Sequence, residues 1–191
     1  MKTFTSVLLG ILLLGAAGAA QTTELGQSVF TSTMGDITLT IDAALAVRKI
    51  NSSYVMFVAY MVVRGDLSVA VDRKDVTMTY NGQEYKMPSL EEWRKSYKNA
   101  QGDMTQYRSL GKESLIMSQL STYKFQSDQD FFPILGRGAL PTEVGSMSDS
   151  IGFRTKLYFK NPGFKHGDQL VISVKDKQNP NVVGSCAVIL K

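Results

Sequence analysis

The sequence predicts a mainly β protein, an antiparallel two-layer sandwich interrupted by a short helical insertion. Three observations predict it. Tyr54–Val63 runs ten residues without a charge, an Asn81-Gly82 pair sits between two alternating segments, and period-two alternation resumes from Phe153 after a helix-like stretch. Strands on both sides of one helical segment, with no internal repeat, make a single β-rich domain.

The chain opens with Lys2, an apolar run Val7–Leu14 and the small residues Gly15–Ala20. A charged start, a brief apolar core and a small-residue zone read as a secretory signal peptide over residues 1–20, cleaved near Ala20. The run falls short of the about 20 residues that a permanent span requires, and no Cys follows it. The expectation is therefore a secreted or periplasmic protein with neither an integral membrane anchor nor a lipoprotein anchor. Residues 21–36 are polar and contain Gly, which suggests a loosely held lead-in. The domain proper is expected over residues 37–191.

From Thr38 to Val47 the apolar residues alternate, with Leu39, Ile41, Ala43, Leu45 and Val47 on one face of a half-buried strand. Asn51-Ser52-Ser53 breaks the chain before Tyr54–Val63. Both faces of that second run are apolar, so it reads as a central strand covered on each side, by the insertion or by another subunit. Val76, Met78 and Tyr80 alternate with Thr77 and Thr79. Asn81-Gly82 then supplies the positive φ values of a type I′ turn, and Gln83–Met87 returns antiparallel.

Ser89 followed by Glu92 has capping-box spacing, and Leu90, Trp93 and Tyr97 recur at helical intervals, which predicts a helix to about Asn99. A second short helix is expected from Asp103 to near Gly111. The whole insertion spans about residues 89–150, and its second half reads ambiguously. Leu115-Ile116-Met117 fits a strand or a helix, and Phe131-Phe132-Pro133 and Gly136-Arg137-Gly138 fit a loop with apolar anchors. Phe153, Thr155, Leu157 and Phe159 then point inward, with Arg154, Lys156, Tyr158 and Lys160 outward. Leu170, Ile172 and Val174 form a further inner face, and Val182–Leu190 reads as a last buried strand.

The run Tyr54–Val63, the hairpin Val76–Tyr85 and the closing His166–Val174 together resemble bacterial extracellular immunoglobulin-like domains of the telokin-like type. The likeness covers roughly residues 37–88 and 151–190 and lies in strands and turns. It implies an exported immunoglobulin-like sandwich of about seven strands, with no established catalytic residues to carry over. The insertion at 89–150 departs from that pattern.

Composition narrows the chemistry. The net charge of +4 is spread along the chain, unlike the clustered footprint of a nucleic-acid binder. Cys186 is the only cysteine, so no intrachain disulfide can form, and its apolar neighbours suggest a buried, inert thiol. The single histidine, His166, lies in a turn, which leaves little for a metal site or a Ser-His-Asp triad. Glu91 with Glu92, or Asp128 with Asp130, could serve a hydrolase only if two carboxyls were held roughly 5–10 Å apart across a sugar bond. Glu91 and Glu92 are equally explained by their helix N-terminus. Arg64-Gly65-Asp66 matches an adhesion tripeptide and also reads as ordinary turn chemistry.

The aromatic-rich insertion is the candidate partner-binding region, through Trp93, Tyr97, Tyr107, Phe131 and Phe132. Large rigid rings offer contact area at low entropic cost. The competing reading has the same rings covering the outer face of Tyr54–Val63. The sequence therefore predicts an exported non-enzymatic binding or assembly module that recognises a protein or glycan, without cofactor or metal, and with a homo-oligomer possible. The alternative is a carrier of a small apolar ligand in a cavity under the insertion. A hydrolase using paired carboxylates is the least favoured reading.

Overall fold

A computed structural model describes residues 22–126, 128–134 and 139–191. The signal-peptide segment and Gly136-Arg137-Gly138 lie outside the described residues. The first part of the chain forms β1 (Thr22–Gly26), β2 (Val29–Ser32), β3 (Ile37–Asp42), α1 (Ala44–Arg48), β4 (Tyr54–Val63) and β5 (Ser68–Asp72). A 3₁₀ turn, Arg73–Asp75, leads into the hairpin β6 (Val76–Tyr80) and β7 (Gln83–Lys86). The insertion holds α2 (Leu90–Ser96), α3 (Ala100–Ser109), α4 (Glu113–Gln119), β8 (Lys124–Gln126), β9 (Gln129–Asp130) and β10 (Leu140–Pro141). The chain closes with β11 (Val144–Ser148), β12 (Ile151–Lys160), β13 (Gln169–Lys175) and β14 (Val183–Ile189).

Two antiparallel sheets carry the fold. The larger has the order β1-β2-β3-β4-β12-β11-β5, with short β8 joining β12 in parallel, and the smaller has the order β14-β13-β6-β7. β9 and β10 form a separate parallel pair. β14 crosses over the start of β3, where Gly35 and Gly184 bridge. A Cβ on Gly184 would stand 2.4 Å from the Ile37 carbonyl oxygen, so this close crossing requires glycine there. The core between the sheets includes Ile37, Leu39 and Ile41 from one side and Met78, Ile172, Cys186 and Val188 from the other, all fully buried.

β4 is central, and all ten of its residues are buried. Side chains alternate along a strand, so its two faces meet different layers. Phe57 lies on the inter-sheet side with Phe159, their ring centroids 6.3 Å apart. Tyr54 and Tyr60 lie on the other side, against Tyr97 and Phe125, each at 5.3 Å. That second side is covered by α2–α4 and the segment after β8. The cover comes from the chain's own insertion, and no second subunit is needed for it. Each large apolar side chain so enclosed contributes roughly 1.5–3 kcal/mol.

The hairpin forms as expected, with φ of 49° at Asn81 and 75° at Gly82. Ser89 caps α2 by accepting a hydrogen bond from the Glu92 backbone N–H at 3.0 Å. Four expectations need correction. The lead-in is not loose: β1 and β2 form a hairpin on the sheet edge, turning at Gln27-Ser28, and Val29 and Phe30 are buried. An edge hairpin faces water on one flank, so its sequence looks polar.

The alternation through Val47 is not one strand. β3 ends at Asp42, whose Oδ1 accepts from the Ala44 N–H at 2.9 Å, and the Ala-rich residues that follow wind into α1. The helical part of the insertion also runs past Gly111, because Leu115-Ile116-Met117 lies in α4. Finally, β12 does not expose its outer face: Lys156 and Tyr158 are buried beneath the insertion. Among the described residues, no helix is long and apolar enough to cross a membrane.

Candidate functional site

All five aromatic candidates are in the core. Trp93, Tyr97 and Tyr107 are at most 7 % exposed, and Phe131 and Phe132 are fully buried. Trp93 packs 4.9 Å from Tyr158 and 5.2 Å from Phe132. Tyr97 leans on Tyr54 and Tyr158, and its hydroxyl donates to Asp103 Oδ2 at 2.7 Å. The sequence-based expectation of an aromatic recognition surface is corrected: these rings join the helical layer to the sheet.

Phe131 and Phe132 do this by straddling a strand edge. Phe131 N–H donates to Thr155 Oγ1 at 3.0 Å, and Asp130 Oδ1 accepts from the backbone N–H of Lys156 at 3.2 Å. The segment thus caps the edge of β12 that faces away from β4. Phe131 reaches Phe153 at 5.1 Å, and Phe132 reaches Tyr158 at 5.4 Å. Phe153 and Tyr158 have opposite parity on the strand, so one ring enters each layer.

The insertion does leave a cleft of about 220 Å³ between α3 and the outer face of the larger sheet. α3 contributes Gln101, Met104, Thr105 and Arg108, one helical face by their spacing. The sheet supplies Val58 from β4 with Arg154 and Lys156 from β12. Gln126, Gln129, Asp130, Ile134 and Ala139 close the third side. The volume lies below the roughly 300–1,000 Å³ of drug-sized sites, and suits one compact polar group.

Charge in the cleft is uneven. Asp130 pairs with the Lys156 ammonium, and Arg154 pairs with Glu113 of α4 and lies 5.4 Å over the Tyr60 ring. Arg108 has no salt bridge to a described residue. Burial, with Arg108 nearby, lowers the Lys156 ammonium to about 8. Asp130 Oδ1 already accepts from Phe132 N–H, Thr155 Oγ1 and Lys156 N–H, and its Oδ2 accepts from Lys156 Nζ.

Other groups offer less chemistry. Asp42 Oδ2, Tyr60 Oη and Tyr107 Oη are buried without a hydrogen-bond partner among the described residues. Desolvation raises the Asp42 carboxyl and both phenols above their ordinary values. Among the described residues, no group of three acidic, His or Cys side chains could hold a metal. His166 sits exposed in its turn, and Cys186 is buried.

The sequence reading missed Gln101, Arg108, Arg154 and Lys156. One signal was present: Gln101, Thr105 and Arg108 recur at helical spacing opposite the buried Asp103 and Tyr107. The pairing of that face with β12 is a tertiary fact. Comparison with protein-family models, curated proteins and solved structures finds no significant match.

Proposed function

We propose that this chain is an exported, non-enzymatic binding module that grips a sugar-sized polar unit of a glycan in the cleft between α3 and β12. The observation that carries the reading is the convergence of Gln101, Thr105, Gln126 and Gln129 on one small cleft. Amides and hydroxyls both donate and accept, as recognition of sugar hydroxyls requires. The same lining disfavours the apolar-carrier reading. The large exposed apolar side chains, Met34, Leu67, Leu140, Ile151 and Val183, all lie outside the cleft. Asp130 is the one described carboxylate lining the cleft, and it is engaged by Lys156, so the reading assigns no hydrolytic pair.

Export rests on the signal-like residues 1–20, and the immunoglobulin-like kinship on the hairpin and closing strands. The test is retention of the mature protein on an array of neutral and acidic glycans, beside Thr105→Trp. Thr105 is exposed on α3, so an indole there should fill the cleft without unfolding the domain. Retention that Thr105→Trp abolishes supports the reading. Retention that it leaves unchanged, or none at all, overturns it.

A further inference from the structure

We propose that the cleft selects an anionic unit, with the carboxylate or phosphate oxyanion of its ligand seated between the Arg108 guanidinium and the Lys156 ammonium. This rests on the reading of the cleft as a glycan site and adds the chemical class of the ligand.

The argument is one of charge accounting within a confined space. Among the described residues, three cations, Arg108, Arg154 and Lys156, line the cleft against one carboxylate, Asp130. Asp130 makes no salt bridge to Arg108: its Oδ1 accepts from Phe132 N–H, Thr155 Oγ1 and Lys156 N–H, and its Oδ2 pairs with the Lys156 ammonium. Glu113 of α4, which does not line the cleft, is paired with Arg154. Arg108 is thus left without a carboxylate among the described residues, opposite a lysine that is 8 % exposed.

Lys156 shares its charge with Asp130 and Arg154 with Glu113, so the guanidinium of Arg108 leaves the cleft with an excess of positive charge among the described residues. An oxyanion between Arg108 and Lys156 balances that excess and gains charge-assisted hydrogen bonds. The planar guanidinium fork can meet two oxygens at once, and the lysine adds a point charge. Thr105 and the glutamines remain for neutral hydroxyls, so the cleft holds separate positions for the charged and uncharged parts of an acidic sugar.

The test is titration of the mature protein, followed by amide chemical shifts, with galacturonate, galactose and inorganic phosphate. The proteins compared are wild type, Arg108→Gln and the surface control Lys95→Gln. Galacturonate should bind about tenfold to a hundredfold more tightly than galactose, and Arg108→Gln should erase that preference. Lys95→Gln should leave it intact, and added salt should weaken uronate binding more than galactose binding. Arg108 is exposed, so the substitution should not perturb folding.

Equal affinity for the two sugars would overturn the anion proposal while leaving the glycan reading in place. Phosphate binding that depends on Arg108, without either sugar, would support the oxyanion site and overturn the glycan reading. No shift with any of the three would overturn both.

Discussion

Lys49 Nζ stands 2.5 Å from Asp103 Oδ1, joining the end of α1 to the first turn of α3. The other oxygen of the same carboxylate accepts from Tyr97 at 2.7 Å and from Tyr158 at 3.2 Å. One buried acid therefore ties two helices and a sheet strand to the same point. Removing it strands a mostly buried ammonium and two phenols. Asp103→Ala is expected to cost about 3–5 kcal/mol in urea denaturation, and Asp103→Asn, which can still accept from a phenol, distinctly less. A loss below about 1 kcal/mol would show that the tie does not hold the layer.

The helical layer is predicted to be cover for β4 and β12. Trp93→Ala should lower stability by about 3–5 kcal/mol, because it removes the ring shared by Tyr158, Tyr97 and Phe132. Deleting residues 89–111 should expose the outer sheet face and produce strong binding of an apolar dye with aggregation. A soluble deletion with native circular dichroism would contradict this role.

Gly145 lies where a Cβ would stand 2.1 Å from Phe153 Cε1. Gly145→Ala should therefore destabilise by about 1–3 kcal/mol through overpacking. Adding Phe153→Leu should recover part of the loss, since neighbours sharing one space couple. Additive losses in the double variant would place the strain elsewhere.

Burial pushes the Cys186 thiol from its ordinary 9.0 up to about 12. A folded-state value above the unfolded one contributes stability that is fully present below 9.0 and is lost as pH climbs through about 12. A thiol reagent at pH 8 should label the native protein only at its rate of opening, and denaturant should release fast labelling. Fast native labelling would refute the inert thiol.

Asp42 makes the opposite test, near acid pH. Its carboxyl titrates above the ordinary 3.8 because desolvation outweighs its hydrogen bond from Ala44. The unfolded chain ionises first, so wild-type stability falls as pH rises through the folded-state value. Asp42→Asn escapes that loss. Its melting temperature relative to wild type should be higher at pH 8 than at pH 4, and a difference that stays flat with pH would count against a strained carboxylate.

Most of the layering was legible in local pattern. The doubly apolar Tyr54–Val63 announced a strand covered on both sides, Asn81-Gly82 its hairpin, and Ser89 with Glu92 the start of a helix. These signals are short-range, carried by side-chain period, turn φ and capping. The edge hairpin β1–β2 was hidden because a strand with one wet flank is polar. The outer face of β12 was misread because Lys156, charged in sequence, is buried through its pairing with Asp130, 26 residues earlier in the chain.

The mainly β character and the place of the helical insertion follow from neighbours along the chain, and the isolation of Cys186 follows from its being the one cysteine. The folding of the insertion back over its own sheet is set by contacts far apart in the chain. It sends Phe131 and Phe132 into different layers, and brings Arg108 to Arg154 and Lys156 across a cleft. Long-range packing sets which faces meet. A residue's type and spacing state what it can bury or bind, and the partner on the far side of the fold decides which of these it does.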